Sequence, residues 1–128
     1  MSLRLRVLPG RLAVCRLPAD VPPPDWATAG QLVSVTRTAG ELSVVCPEEA
    51  VPAGVVHEAG FRALEVAGPL DFALTGIVAA LAAPLAQAGV PIFVLSTYDT
   101  DYLLVREMSV EQACAALEGA GVSVVSGV

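Results

Sequence analysis

The chain has 128 residues, of which 55% are hydrophobic, and it carries a net charge of −6 at pH 7. This length fits one ordinary domain or two very small ones. The acidic balance argues against nucleic acid as a partner, because phosphate binding requires a basic patch. The longest apolar stretch, Ile77–Ala86, is about half of the roughly 20 residues that a membrane-spanning helix needs.

The N-terminal half reads as short strands separated by turns. Early arginines and a Pro9–Gly10 break exclude the apolar core of a signal peptide, so we expect a cytoplasmic protein with no membrane partner. An Ala39–Gly40 turn between two apolar runs predicts a hairpin. The predicted elements are a strand at Leu12–Leu17, a helical turn at Asp25–Thr28, strands at Leu32–Arg37 and Leu42–Cys46, and a short turn or helix at Glu48–Val51.

The C-terminal half contains two predicted helices. A strand at Phe61–Val66 precedes the clearer helix, Asp71–Ala88. Asp71 can cap the start of this helix, and Gly89 suits the position after its end. Apolar residues recur in it at spacings of three and four, which predicts one buried stripe made of Leu74, Ile77, Val78, Leu81 and Leu85.

A hairpin and the second helix follow. The hairpin joins strands at Pro91–Leu95 and Tyr102–Glu107. Ser109 then opens the second helix, with Gln112 at the spacing of a capping box. The expected buried face of this helix is Val110, Ala113, Cys114 and Leu117, with Gly121 after its end and a last strand at Val122–Val125.

From Phe61 onward the element order is β-α-β-β-α-β. That order predicts an α+β, ferredoxin-like fold, in which an antiparallel sheet carries both helices on one face. The first half repeats the plan with shortened helices, so we predict two tandem units, residues 1–60 and 61–128. A shift of 61 positions pairs Thr36 with Thr97 and Leu42 with Leu103, which supports an internal repeat.

The loop Ser96–Asp101, with the sequence STYDTD, carries more functional groups than the other loops. We predict that it faces the start of the helix near Asp71. A helix N-terminus presents unpaired backbone N–H groups and a partial positive charge, and therefore suits an α-carboxylate. A loop carboxylate such as Asp101 suits an α-ammonium group or a basic side chain. This end of the unit is therefore a candidate amino-acid site.

The cysteines and the single histidine predict no metal and no cofactor. Cys15, Cys46 and Cys114 are scattered, with no Cys-x-x-Cys pair, and His57 cannot complete a familiar zinc pattern. We therefore interpret the cysteines as small buried hydrophobic residues. No nucleophile–base pair is apparent, so we predict no catalytic residues and no enzyme activity.

Three segments carry a resemblance to a known family: TRTAGELSVVCPE at 36–48, GPLDFALTGIV at 68–78 and IFVLSTYDTDYLLVRE at 92–107. Together they resemble the small bacterial tandem ACT-domain proteins, a group related to the cytosolic arginine sensors of animals. The resemblance covers the chain from Leu12 to Val125. It implies regulatory units that bind amino acids, often at interfaces between two such domains, and that perform no chemistry.

The resemblance also implies where a ligand would bind. In the related sensors the ligand lies between the helix start, matched here by Pro69–Gly76, and the second hairpin loop. The implied ligand-binding residues are Leu70, Asp71, Gly76, Thr97, Tyr98 and Asp101. Asp101 matches a ligand-contacting aspartate. The sensors have a glutamate where Leu74 stands and a glycine where Asp71 stands, so the resemblance does not identify arginine as the ligand.

Each of these residues also has a purely structural interpretation. Asp71 can be only a helix cap, Asp99 only a turn residue, and Tyr98 only a surface aromatic. Two functions therefore stay open from the sequence. The first is a free-standing regulatory module that binds a free amino acid, signals through assembly or a partner, and forms a homo-oligomer, most simply a dimer. The second is a protein-interaction or oligomerisation module with a degenerate site.

Overall fold

A computed structural model describes residues 3–71, 73 and 75–126 of the chain. It divides into two compact units, Gly10–Phe61 and a second unit that combines Met1–Pro9 with Arg62–Val128. The strands are β1 (Arg4–Val7), β2 (Leu12–Leu17), β3 (Ser34–Arg37), β4 (Leu42–Pro47), β5 (Val56–Val66), β6 (Phe93–Ser96), β7 (Asp101–Arg106) and β8 (Ser123–Ser126). The helices are α1 (Ile77–Gln87) and α2 (Val110–Gly119).

The unit Gly10–Phe61 has the strand order of a ferredoxin-like fold without its long helices. Its strands pair in the order β3-β4-β2-β5, and these pairs are antiparallel. Two short 3-10 helices, Asp25–Ala27 and Glu48–Ala50, stand where the plan has helices. The prediction of a first unit with shortened helices is confirmed.

This unit has its own small core. Trp26, on the first 3-10 helix, is half-buried and packs against it. Cys15 and Cys46 belong to the core and act as small apolar residues, as predicted, whereas Cys114 in the other unit is half-buried. The buried side chains of the core are Ala13, Cys15, Ala27, Leu42, Val44 and Cys46.

The second unit has the predicted order β5-α1-β6-β7-α2-β8. Its sheet also contains β1, a strand that the sequence pattern did not predict. β1 lies between β5, to which it is antiparallel, and β8, to which it is parallel. The sheet is therefore mixed, not purely antiparallel. In β1 the exposed Arg4 and Arg6 flank the buried Leu5. With only four residues, this alternation was too short to identify a strand from the sequence.

Both helices bury one face in a single core with the sheet. Ile77, Leu81 and Leu85 from α1 meet Ala113 and Leu117 from α2, together with apolar side chains of β1, β5 and β7. The α+β ferredoxin-like prediction is confirmed. Within the predicted buried stripe of the first helix, the prediction for Val78 is wrong, because this side chain is 39% exposed. Leu74 lies outside the described residues.

The second helix begins where predicted, but its predicted capping box does not form. Ser109 precedes α2 without a side-chain capping hydrogen bond. Gln112 instead donates from Nε2 to the carbonyl oxygen of Ala88, over 2.7 Å. The side chain thus satisfies a carbonyl just beyond the end of α1, where intrahelical donors run out. None of the helices within the described residues is long and apolar enough to cross a membrane.

The two β-hairpins correspond at a shift of 59 positions, not 61. Arg37 pairs with Leu42 in one hairpin and Ser96 with Asp101 in the other, so 96 − 37 and 101 − 42 both give 59. The expectation of loops of equal length is confirmed. A slip of two residues keeps each side chain on the same face of a strand, so identities within apolar strands could not fix the register. Asp99 and Asp101 thus correspond to Gly40 and Leu42.

Candidate functional site

The loop between β6 and β7 is a closed turn held by its two threonines. The Thr97 N–H donates to the Thr100 carbonyl oxygen over 2.8 Å. The Thr97 hydroxyl donates to the same oxygen at 3.2 Å and lies 3.3 Å from the Thr100 nitrogen, whose hydrogen it accepts. These three contacts close the turn within the loop.

The same loop is tied to the chain that leaves β5. The Thr100 hydroxyl, which is buried, donates to the Val66 carbonyl oxygen over 2.7 Å. The Leu70 N–H donates to the Asp99 carbonyl oxygen over 2.7 Å. A Cβ on Gly68 would lie 3.1 Å from that oxygen and from Thr100 Cβ, so a larger residue here would crowd the loop. These contacts fix the loop against residues 66–70.

The helix start differs from the prediction, because α1 begins at Ile77 and not at Asp71. Asp71 Oδ1 accepts the Ala73 N–H over 2.8 Å, which makes a local turn before the helix. Gly76 then adopts a left-handed conformation with φ of 80° and precedes the first helical residue. Asp71 is thus not the helix cap. The Ala80 N–H bonds to the Gly76 carbonyl oxygen, so the helix supplies no acceptor for the amides of 77–79.

An open cleft of about 450 Å³ lies between this helix start and the loop. The structure brings all six predicted residues to it: Leu70, Asp71, Gly76, Thr97, Tyr98 and Asp101. We call it the acidic cleft. Its walls also include Ile77, Val78 and Ala79 from the first turn of α1, and Ser96, Asp99 and Thr100 from the hairpin.

The additional residues differ in whether the sequence indicated them. Ser96, Asp99 and Thr100 belong to the STYDTD segment, which the pattern singled out. Val78 was missed, since helical periodicity assigned it to the core. The start of α1 at Ile77 was also missed, because Gly76 was interpreted as lying inside the helix. A glycine followed by a regular apolar stripe was the signal that could have indicated the true start.

The cleft is lined by three carboxylates and by no cationic side chain among its described walls. Asp101 Oδ1 accepts the Ser96 hydroxyl over 2.6 Å, which orients the carboxylate. A carboxylate accepts up to about four hydrogen bonds, so this contact leaves capacity for a ligand. Tyr98 is 82% exposed at the cleft edge. Among the described residues, no cluster of histidine, cysteine and acidic side chains has an arrangement that could hold a metal.

Two known family profiles match consecutive parts of the chain. The profile of the ACT domain matches residues 56–119. A second profile, which describes an N-terminal domain, matches residues 10–54. No curated protein matches the chain.

Three solved structures illustrate the similarity. A protein from Agobacterium tumefaciens is 38% identical, with 100% of this chain and 96% of that chain covered and a TM-score of 0.94. A Vibrio cholerae protein described as a possible transport protein is 22% identical over 94% and 91% of the two chains, with a TM-score of 0.77. The regulatory subunit of aspartate kinase from Thermus thermophilus is 13% identical over 86% and 91%, with a TM-score of 0.58.

Proposed function

The chain belongs to the ACT domain family, and from that premise we propose that it is a regulatory module that binds a free amino acid in the acidic cleft. ACT domains are typically regulatory, amino-acid-binding units, and the regulatory subunit of aspartate kinase shares the fold. The observation that carries the proposal is the meeting of unpaired helix amides and carboxylates in one cleft. A zwitterion needs both, a few ångströms apart.

The α-carboxylate of the ligand would bind at the first turn of α1. The amides of Ile77, Val78 and Ala79 have no acceptor within the helix, and the helix dipole adds a partial positive charge there. An anion at this position gains both contributions. The described walls of the cleft contain no arginine for the same task, so in this proposal the helix end performs the role alone.

The α-ammonium group would bind between the two sides of the cleft. Asp101 on the loop and Asp71 on the opposite wall each retain acceptor capacity beyond their single internal hydrogen bonds. Hydrogen bonds to a charged group contribute about 1.5–3 kcal/mol each, which is enough to set specificity. Asp99 adds a third negative charge, so acidic amino acids should bind worst.

The proposal also covers the organisation of the chain. We take the two units as a tandem of ACT-like units with one working site per chain, in the second unit. The chain would act in the cytoplasm as a homodimer and would have no catalytic activity. Occupation of the cleft would change assembly or the affinity for a partner protein.

One observation favours a second candidate, an interaction module in which the site is degenerate. Asp71 and Asp101 already accept hydrogen bonds from Ala73 and Ser96, so both carboxylates have a local structural role. In that case the loop is only a stable turn. Neutralising Asp101 would then leave the affinity for a partner protein unchanged.

A thermal-shift screen against the twenty amino acids separates the two candidates. At a hundred times its Kd, a ligand adds about 2.7 kcal/mol of stability to the folded state. Asp101→Asn keeps an acceptor for Ser96 but removes the charge, so we expect affinity to fall roughly tenfold or more. Asp20→Asn, an exposed aspartate of the other unit, is the matched control. No shift with any amino acid would reject the binding function.

A further inference from the structure

A second cleft, of about 340 Å³, lies on the second unit beside β1, and none of its lining residues lines the acidic cleft. Two of the seven arginines of this acidic chain line it, together with Glu65 of β5. The wall of the cleft also includes Ala67, Gly68 and Val125. We call it the arginine cleft.

Arg6 is held in place by a small polar network. Its Nη2 donates to Glu65 Oε1 over 2.9 Å, and the Tyr102 hydroxyl donates to Glu65 Oε2 over 2.9 Å. Burial raises the pKa of Tyr102, and the hydrogen bond to Glu65 raises it further, so the phenol stays a donor at neutral pH. Both carboxylate oxygens are therefore engaged. Glu65 neutralises one guanidinium and orients it.

Arg4 is different, because no acidic side chain among the described residues forms an ion pair with it. It lies two residues before Arg6 on the same strand, so both side chains leave the same face of the sheet. Its register partner on β8 is Ser123, and on the β5 side the Ala67 N–H donates to its carbonyl oxygen over 2.8 Å. Within the described part of the chain, Arg4 has no ion-pair partner, whereas Arg11 and Arg62 each face a glutamate.

The other lining residues of the arginine cleft leave space for a ligand. Ala67 and Gly68 have little or no side chain, and both are exposed. Val125 is 56% exposed and offers an apolar wall for carbon atoms. A guanidinium is a planar fork of N–H donors that binds carboxylates and phosphates. This cleft contains two of them, and Glu65 already orients one.

We propose that the arginine cleft binds a small oxyanion, either a carboxylate or a phosphate group, with Arg4 as its principal ligand and Arg6 as its second. The unpaired charge of Arg4, the orientation of Arg6 by Glu65 and the space at Ala67 and Gly68 together carry this assignment. It is independent of the amino-acid site, since the two clefts have no lining residue in common.

Isothermal titration of the full chain with inorganic phosphate, and separately with malonate, tests the site at constant ionic strength set with chloride. We expect saturable binding of one anion per chain. Arg4→Gln should weaken it roughly tenfold or more, because a charge-assisted hydrogen-bond pair is lost. Arg16→Gln, which removes an exposed arginine of the other unit, should leave the affinity unchanged. Binding by phosphate alone would identify a phosphoryl site, and binding by both a general oxyanion site.

A second variant tests the cleft without removing an arginine. Ala67→Glu places a carboxylate beside Arg4 at an exposed position, so it should block anion binding while the fold persists. A proposal of mere charge attraction predicts equal losses for Arg4→Gln and Arg16→Gln. That equality, or the absence of saturable binding of either anion to the unmodified chain, would overturn the assignment.

Discussion

The two hairpin loops have the same backbone architecture but different surroundings. Thr38 and Thr97 each donate a backbone N–H to the carbonyl oxygen three residues later, over 2.9 and 2.8 Å. Their hydroxyls also repeat the same contacts, at 3.4 and 3.2 Å. The turn is therefore a common element of both units, and its presence alone does not make a binding site.

The difference lies in what satisfies the groups around each turn. In the first unit, Arg16 donates to the Gly40 carbonyl oxygen over 3.1 Å, and Arg37 donates to the carbonyl oxygens of Ala19 and Val21. In the second unit, the equivalent loop carbonyl, that of Asp99, accepts a backbone N–H from Leu70. A long side chain, that of Arg16, therefore contacts the first turn directly. The second is held by short contacts, which leaves its carboxylates facing an open cleft.

The cores of the two units provide the largest expected difference. Leu81 in the helical core and Leu42 in the helix-free core are both fully buried. Truncating a buried leucine to alanine costs about 2–5 kcal/mol, and the cost is lower where neighbours collapse into the cavity. We expect Leu81→Ala near the top of this range and Leu42→Ala near the bottom, because turns and Trp26 border the smaller core.

Urea denaturation of both variants, followed by circular dichroism, measures these free energies of unfolding. A larger loss for Leu42→Ala than for Leu81→Ala would contradict the assignment of the main core to the helical unit.

The glycines beside the two turns offer a sharper comparison. A Cβ on Gly68 would lie 3.1 Å from the Asp99 carbonyl oxygen, whereas at Gly40 the nearest atom is 3.9 Å away. We expect Gly68→Ala to destabilise the fold by about 1–3 kcal/mol, as overpacking does. Gly40→Ala should be neutral or stabilising by about 0.4–1 kcal/mol, through the unfolded state.

Thermal denaturation of the pair checks this expectation, and the ligand screen should show a reduced response only for Gly68→Ala. Equal stabilities would mean that the loop is not held against the chain that follows β5.

The sequence predicted the order of the elements and the location of the acidic cleft better than it predicted local geometry. Regular alternation and helical spacing identified the strands of the second unit other than β1, and most of the buried side of α1. The helix start failed, because Asp71 forms its turn with Ala73, a choice that depends on local hydrogen bonding. β1 was missed because its four residues give only a short alternation, and because its pairing partners lie about 60 and 120 residues away in sequence, at registers such as Leu5 with Val66 and Arg4 with Ser123.

The cysteines differ between the two units in burial, and near neutral pH they give the smallest expected effect on stability. Burial, reinforced by the neighbouring Cys46, raises the pKa of Cys15 to about 12 from 9.0, and burial also raises the pKa of Cys46 and Cys114. The folded chain thus keeps the Cys15 thiol protonated, while the unfolded chain ionises it above pH 9. This contribution to stability is complete below pH 9 and is lost as the pH rises from 9 toward 12.

Thiol labelling at pH 8 with mass-spectrometric detection measures how fast the cysteines of each unit become accessible. Thiolate is the reactive form, and access requires opening, so half-buried Cys114 should label first. Cys15 and Cys46 should label together and only as fast as the first unit opens. If they label as fast as Cys114 in the absence of denaturant, the helix-free core is not closed. In that case its shortened helices do not protect the first core, and the two units do not differ in the way their buried cysteines indicate.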